Sequence, residues 1–181
     1  LNPALAGRAF LTAAYAGYMT VWAVPSVLSG SVDTATMATP LSYLYAGQPL
    51  PEYMGLGSIF LGSIPGCIGE ISTLAVLIGG IWLLARKVIT WRIPVTFIGS
   101  VAVLCLIFGH EGYGRIDWML LNVCSGGLLL GAFFMATDYS TSPVTLKGQL
   151  VFGLGCGVLT VLIRYFGSYP EVVSYAILIM N

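Results

Sequence analysis

The chain has 181 residues, of which 57% are hydrophobic and 8% charged, and its mean hydropathy is +0.92. An average soluble domain carries about 25% charged residues, so this composition excludes an ordinary water-soluble globule and makes lipid the natural solvent. Seven basic residues balance seven acidic ones, which leaves no electrostatic footprint for nucleic acid or an acidic partner. A start at Leu1 without a signal pattern and an end at Asn181 inside an apolar stretch give the expectation of an internal piece of a larger polytopic protein.

A bilayer core about 30 Å thick takes about 20 apolar residues of helix. Asn2-Pro3 has the form of a helix start, with Asn as cap and Pro at the first helical position. The first span is expected over Ala9 to Val24, between Arg8 and Pro25. A loop from Pro25 to Met54 follows, inside a stretch from Arg8 to Arg86 that has no Lys or Arg between them. It carries Asp33-Thr34-Ala35-Thr36-Met37-Ala38-Thr39-Pro40. Pro40 disfavours helical angles at Thr39, so Thr39 is expected to be extended with an exposed, outward-pointing hydroxyl. Such a residue suits covalent modification, and equally suits a plain loop.

The run from Gly55 to Leu84 would measure about 45 Å as one straight helix, longer than the hydrocarbon is thick. Pro65-Gly66 interrupts it. It divides into a partial helix, Gly55 to Ile64, and a span, Cys67 to Leu84; a kink in a strongly tilted helix is the alternative. Broken helices persist only where protein or a cavity covers the freed backbone, and in transporters they mark binding centres. Spans are expected over Ile93 to Phe108, Ile116 to Met135 and Gly148 to Ile163, with Val172 to Met180 beginning another. The fold class is therefore all-α, one polytopic transmembrane bundle over 1–181 with a broken or re-entrant helix.

Arg86, Lys87 and Arg92 crowd one short loop, which the positive-inside rule places in the cytoplasm. Threading from there sets Arg8 and Lys147 inside and Arg115 and Arg164 outside. The loop holding Thr39 and the His110-Glu111 turn then face outward. Cys67, Cys105, Cys124 and Cys156 lack the paired spacing of metal ligands. They read as helix-packing residues, with one left open as a ligand in a set shared with other subunits. His110 reads as surface structure. Trp22, Trp82, Trp91 and Trp118 read mostly as membrane-interface anchors.

The ordered motifs carry a resemblance. Asp33-x-x-Thr36-x-Ala38-Thr39 is similar to the flavinylation pattern D-x-x-(S/T)-G-A-T, with Met37 in place of Gly. Asn2-Pro3-Ala4-Leu5, Gly66-Cys67-Ile68-Gly69-Glu70, Gly79-Gly80, Trp91-Arg92-Ile93-Pro94 and Phe134-Met135-Ala136-Thr137-Asp138 stand around it in order. Together they resemble the RnfD component of the Rnf electron transport complex and its relative, the NqrB component of the sodium-translocating NADH:quinone reductase. The resemblance covers essentially the whole chain and matches the C-terminal half of such a component.

The resemblance implies an electron-transfer subunit of an ion-translocating ferredoxin:NAD oxidoreductase in the prokaryotic inner membrane. It implies FMN joined through a phosphoester to Thr39, with Asp33 and Thr36 as motif residues, and a urea-transporter-like helical fold. Its partners would be the other membrane and peripheral subunits, a flavin transferase and membrane lipid. Glu70, in the first turn of its span, would contact the flavin ring or the coupling ion; a Glu there is also simply favoured by the helix dipole. Asn2 would touch a noncovalent riboflavin, and Asp138 is a candidate for the ion path or a plain turn residue. The alternatives are the quinone-reductase component itself, a structural component without flavin, and a small-solute channel of the same fold.

Overall fold

The computed structural model describes residues 2–19, 22–23, 36–51, 54–62, 64, 66, 71–110, 112–167 and 172–181, with only the backbone described at 22–23 and 36–37. In chain order these form α1 (Pro3–Ala14), α2 (Ala16–Met19), β1 (Trp22–Ala23), β2 (Thr36–Met37), α3 (Pro40–Tyr45), α4 (Leu56–Leu61), α5 (Thr73–Ala85), α6 (Arg92–Phe108), α7 (Arg115–Cys124), α8 (Leu128–Leu130, continuing as a wider turn through Gly131–Met135), α9 (Leu146–Phe166) and α10 (Val173–Met180). β1 and β2 form a two-residue antiparallel ladder, Trp22 opposite Met37 and Ala23 opposite Thr36.

The first helix begins six residues earlier than the expected Ala9. Asn2 Oδ1 accepts from the Ala4 and Leu5 N–H groups at 3.0 and 3.3 Å, and Pro3 needs no partner at the first position. The cap therefore sets the start, and Arg8 lies within the helix rather than at its edge. Tyr15 interrupts the run before α2.

The framework is α6 packed on α9. Gly153 and Gly157, one turn apart on α9, let the backbones close: an added Cβ on either would overlap the Thr96 or Ser100 hydroxyl and lie 3.0 Å from Ile93 O or Phe97 O. Small residues at this spacing are how apolar helices approach without help from water. Thr96 and Ser100 turn their hydroxyls onto their own helix, Thr96 to Arg92 O at 2.7 Å and Ser100 to Phe97 O at 2.8 Å. The seam thus buries no unsatisfied hydroxyl. The outward faces of α5, α6 and α9 carry exposed Ile78, Trp82, Val103, Ile107, Val151 and Leu154, an apolar coat suited to lipid.

Among the described residues one helix, Leu146–Phe166, is by itself long and apolar enough to cross a bilayer. The expected span Ile116 to Met135 is not continuous: α7 and α8 meet at 59°. Ser125-Gly126-Gly127 makes the bend, with Gly126 and Gly127 both left-handed at φ +71 and +64, conformations that disfavour a Cβ. The run from Gly55 to Leu84 is also interrupted, over a wider gap than expected: α4 stops at Leu61 rather than Ile64, and α5 begins at Thr73 rather than Cys67. Gly62, at φ +106, ends α4, and a Cβ there would lie 2.9 Å from Ser72 Cβ. In a continuous helix those residues would stand about 15 Å apart, so the chain doubles back and the single tilted helix is excluded.

Two sets of bonds gather the two ends of the bundle. At one, Asn2 Nδ2 donates to Asp138 Oδ2 at 3.3 Å and the Tyr139 hydroxyl donates to Val88 O. Arg86 and Arg92 lie over the exposed Trp82 and Trp91 rings at this end, 5.9 and 5.7 Å away, as interface anchors would. At the other, the Tyr165 hydroxyl donates to Gly109 O at 3.1 Å and Leu50 N–H to the Tyr113 hydroxyl at 3.4 Å.

Candidate functional site

The ladder hands the chain directly to Thr39, whose backbone is extended at φ −69, ψ 155, as the following proline requires. Its side chain departs from the expectation. Thr39 is 6% exposed, and Oγ1 turns back to accept from Ser42 N–H at 3.4 Å and to donate to Ser42 Oγ at 3.4 Å. An extended residue immediately before a helix is the cap position, where a side-chain oxygen meets unpaired amides. Both contacts are long for hydrogen bonds. The short bond at this turn runs from Ser42 Oγ to the Thr39 carbonyl, 2.7 Å, so the hydroxyl is covered but loosely held.

What fixes Thr39 in space is α3 behind it. Leu41 and Leu44 are fully buried, and a Cβ on Gly126 would collide with Leu41 Cδ2. The helix therefore seats on the bend between α7 and α8. Tyr45, at its far end, donates its hydroxyl to Asn122 Oδ1 at 2.8 Å and sets its ring 5.6 Å from Trp118 and 5.7 Å from Tyr165.

Beneath α3 lies a buried cation. Arg164, expected from the positive-inside threading at an outer boundary, is 2% exposed in the last turn of α9. Its Nη1 donates to Asn122 O at 2.8 Å and its Nη2 to Ser125 O at 3.4 Å. These carbonyls end α7 and have no helical partner because the helix stops there; a cation at a helix C-terminus also meets the favourable end of the dipole. Thr73 Oγ1 donates to the next freed carbonyl, Cys124 O, at 3.0 Å. The break is thus satisfied by side chains from α5 and α9. It leaves a water-sized void of ≈ 10 Å³ bordered by Ser72, Thr73, Cys124 and Gly127.

Trp118 is no interface anchor. It is fully buried, with Nε1 donating to the Tyr165 hydroxyl at 2.8 Å and the His110 ring stacked on it at 4.6 Å and 17°. His110 itself is exposed. Cys105 and Cys156 are buried in the core, and Cys124 stands at the break.

At the opposite end, Asp138 Oδ2 accepts from Ser140 Oγ at 2.7 Å, Thr141 Oγ1 at 3.2 Å and Asn2 Nδ2. The Ser140 hydroxyl, with lesser help from Thr141, holds this carboxyl below the usual range. Asn2 and Asp138 therefore meet each other, at the end of the bundle where Tyr139 bonds Val88. Asp33 and Glu70 lie outside the described residues, as does Cys67, and Thr36 is described only as ladder backbone. Asn122 and Arg164 were not singled out by the sequence as site residues. Their signal was available, since polar and charged side chains inside apolar segments mark functional or structural centres.

The sequence profile of the NQR2, RnfD, RnfE family matches residues 1–181. Among curated proteins, the chain is 46% identical to the D component of the Na(+)-translocating ferredoxin:NAD(+) oxidoreductase complex of Acetobacterium woodii, over 100% of this chain and 54% of that protein. It is 45% identical to the D component of the proton-translocating ferredoxin:NAD(+) oxidoreductase complex of Clostridium ljungdahlii, over 99% and 56%. It is 36% identical to the D component of the ion-translocating oxidoreductase complex of Stutzerimonas stutzeri, over 99% and 58%. The chain thus spans little more than half the length of these relatives.

Proposed function

We propose, from the premise that the chain belongs to the NQR2, RnfD, RnfE family, that it is the flavin-bearing part of a membrane subunit in an ion-translocating ferredoxin:NAD oxidoreductase. FMN is carried on Thr39 through a phosphoester, and the other subunits of the complex and a flavin transferase are its partners. The observation that supports this most directly is the setting of Thr39. It ends the motif that begins at Asp33, stands extended ahead of Pro40, and is anchored through Leu41 and Tyr45 to the bundle.

The residues there fit a phosphoester. Freeing the hydroxyl costs two 3.4 Å contacts, while the Ser42 hydroxyl and N–H keep their bonds to the Thr39 carbonyl at 2.7 and 3.0 Å, so the turn holds its shape. Ala38 lies between Thr39 and the ladder with only a methyl side chain, which leaves one side of the backbone open. When bound, FMN supplies a ring that takes one or two electrons, while protein groups set its position and potential. The chain's part is to hold the tether: α3, seated on the bend of α7 and α8, fixes the attachment point against the bundle.

The reading extends to a multi-pass inner-membrane subunit with the flavin on the outer side, and to a urea-transporter-like bundle, for which the two interrupted helices are support. The coupling ion stays open, because the relative at 46% identity is named for sodium and the one at 45% for the proton. Peptide mass mapping of the segment 26–54, from protein matured with its transferase, tests the site. The expected result is a peptide heavier by FMN less one water, and Thr39→Ala should abolish in-gel flavin fluorescence while the protein still inserts. A bare Thr39 peptide from the intact complex refutes the proposal.

A further inference from the structure

Between the end of α6 and the start of α7 lies a cleft of ≈ 630 Å³, lined by Ile107, Phe108, Gly109, His110, Tyr113 and Arg115. That size lies within the range of small-molecule sites, about 300–1,000 Å³, which are typically apolar with a few placed polar groups. Phe108, His110 and Tyr113 bring rings to it and Arg115 a guanidinium. The rings are held from behind. His110 stacks on buried Trp118, whose Nε1 is bonded to Tyr165, whose hydroxyl returns to Gly109 O. Tyr113 lies 5.9 Å from the same indole and receives Leu50 N–H.

The cleft and Thr39 share one support. Tyr45, closing the helix that Thr39 opens, packs on the same Trp118 indole that backs His110. α3, about 9 Å long, runs from the bend at Gly126, where Leu41 seats beside Thr39, to Trp118, where Tyr45 packs, so one short rigid element links the attachment point to the ring that backs the cleft. A planar ring with an electron-rich edge is what such a lining recognises: flat π-surfaces stack on aromatic side chains, and guanidinium favours a negatively charged or electron-rich edge.

We infer that this cleft seats the isoalloxazine ring of the flavin tethered at Thr39, with the rings of His110 and Tyr113 as its stacking platform and Arg115 as the cation beside its electron-accepting edge. The inference rests on the proposed attachment at Thr39 and adds the seat of the ring. Arg115 then stabilises the charge that reduction places on the ring, and so raises the potential at which the flavin accepts electrons. Gly109, at φ +51, and Gly112, at φ +96, shape the turn that presents these side chains.

The test uses the intact complex with flavin attached, in wild type and in Arg115→Gln, Arg115→Lys and Tyr113→Leu. In-gel fluorescence after denaturation reports attachment, and it is expected to equal wild type in all three. Redox titration of the attached flavin should show a lower midpoint potential in Arg115→Gln, restored largely in Arg115→Lys. Native flavin fluorescence should rise several-fold in Tyr113→Leu as stacking is lost. Normal attachment with unchanged potential in Arg115→Gln and unchanged quenching in Tyr113→Leu overturns the seat while sparing the attachment. No flavin on wild-type Thr39 removes both.

Discussion

Replacing Arg164 by Met should weaken the fold strongly. The guanidinium occupies the last turn of α9, is almost wholly buried, and bonds Asn122 O and Ser125 O. Met keeps much of the length and apolar stem but has no donor. Two buried carbonyls are then left without these bonds, each costing about 1–3 kcal/mol, and the interaction with the α7 C-terminus, up to about 2 kcal/mol in a partly buried setting, is lost too. The total is about 2–8 kcal/mol, at the low end where a water reaches the carbonyls. Arg164→Lys retains a charge and one reachable donor and should recover about half. Thermal unfolding of the purified protein in lipid nanodiscs, followed by tryptophan fluorescence from Trp118, reads the difference. Arg164→Met matching wild type in stability would show that the break is held by something other than these bonds.

The glycine seam gives a second expectation: Gly157→Ala pushes a methyl group onto Ser100 Oγ and to 3.0 Å from Phe97 O, and overpacking of this kind costs about 1–3 kcal/mol. Ser100→Gly should restore only part of that, because the backbone carbonyl still stands in the way, and the double-mutant melting temperature checks it. Gly126→Ala combines a left-handed φ of +71 with a collision on Leu41; limited proteolysis should show the α3 segment opening before the rest of the bundle. Asp138 supplies a pH test. Because its carboxyl is held below the usual range in the folded state, its contribution is fully present above the unfolded value and disappears as pH falls through the lowered folded value. The stability gap between wild type and Asp138→Asn should therefore be constant down to about pH 4 and close below it, and it should be small because this carboxyl faces solvent.

The legible parts of this fold were those decided locally. Pro40 sufficed for the extended backbone at Thr39, Asn2-Pro3 contained a complete helix start, and the excess length of the run from Gly55 to Leu84 announced that it could not be one helix. Burial of the Thr39 side chain was not legible, because it depends on α3 folding onto a bend more than eighty residues away in sequence. That bend was itself concealed: Ile116 to Met135 has the right length and hydropathy for an uninterrupted span, so Ser125-Gly126-Gly127 raised no conflict with the bilayer thickness. Arg164 was similarly disguised, since an arginine near the end of an apolar run is ordinarily a boundary charge. Only the geometry of the neighbouring helix end shows it turned inward. Asn2 and Asp138 were each visible as polar residues beside apolar segments, yet nothing in their spacing announced that they pair.

An arginine sealed beneath the bend has one more property: in proteins its side chain does not give up its proton. Any negative charge brought near the bend meets the same pull in acid and alkaline surroundings, unlike that of a histidine.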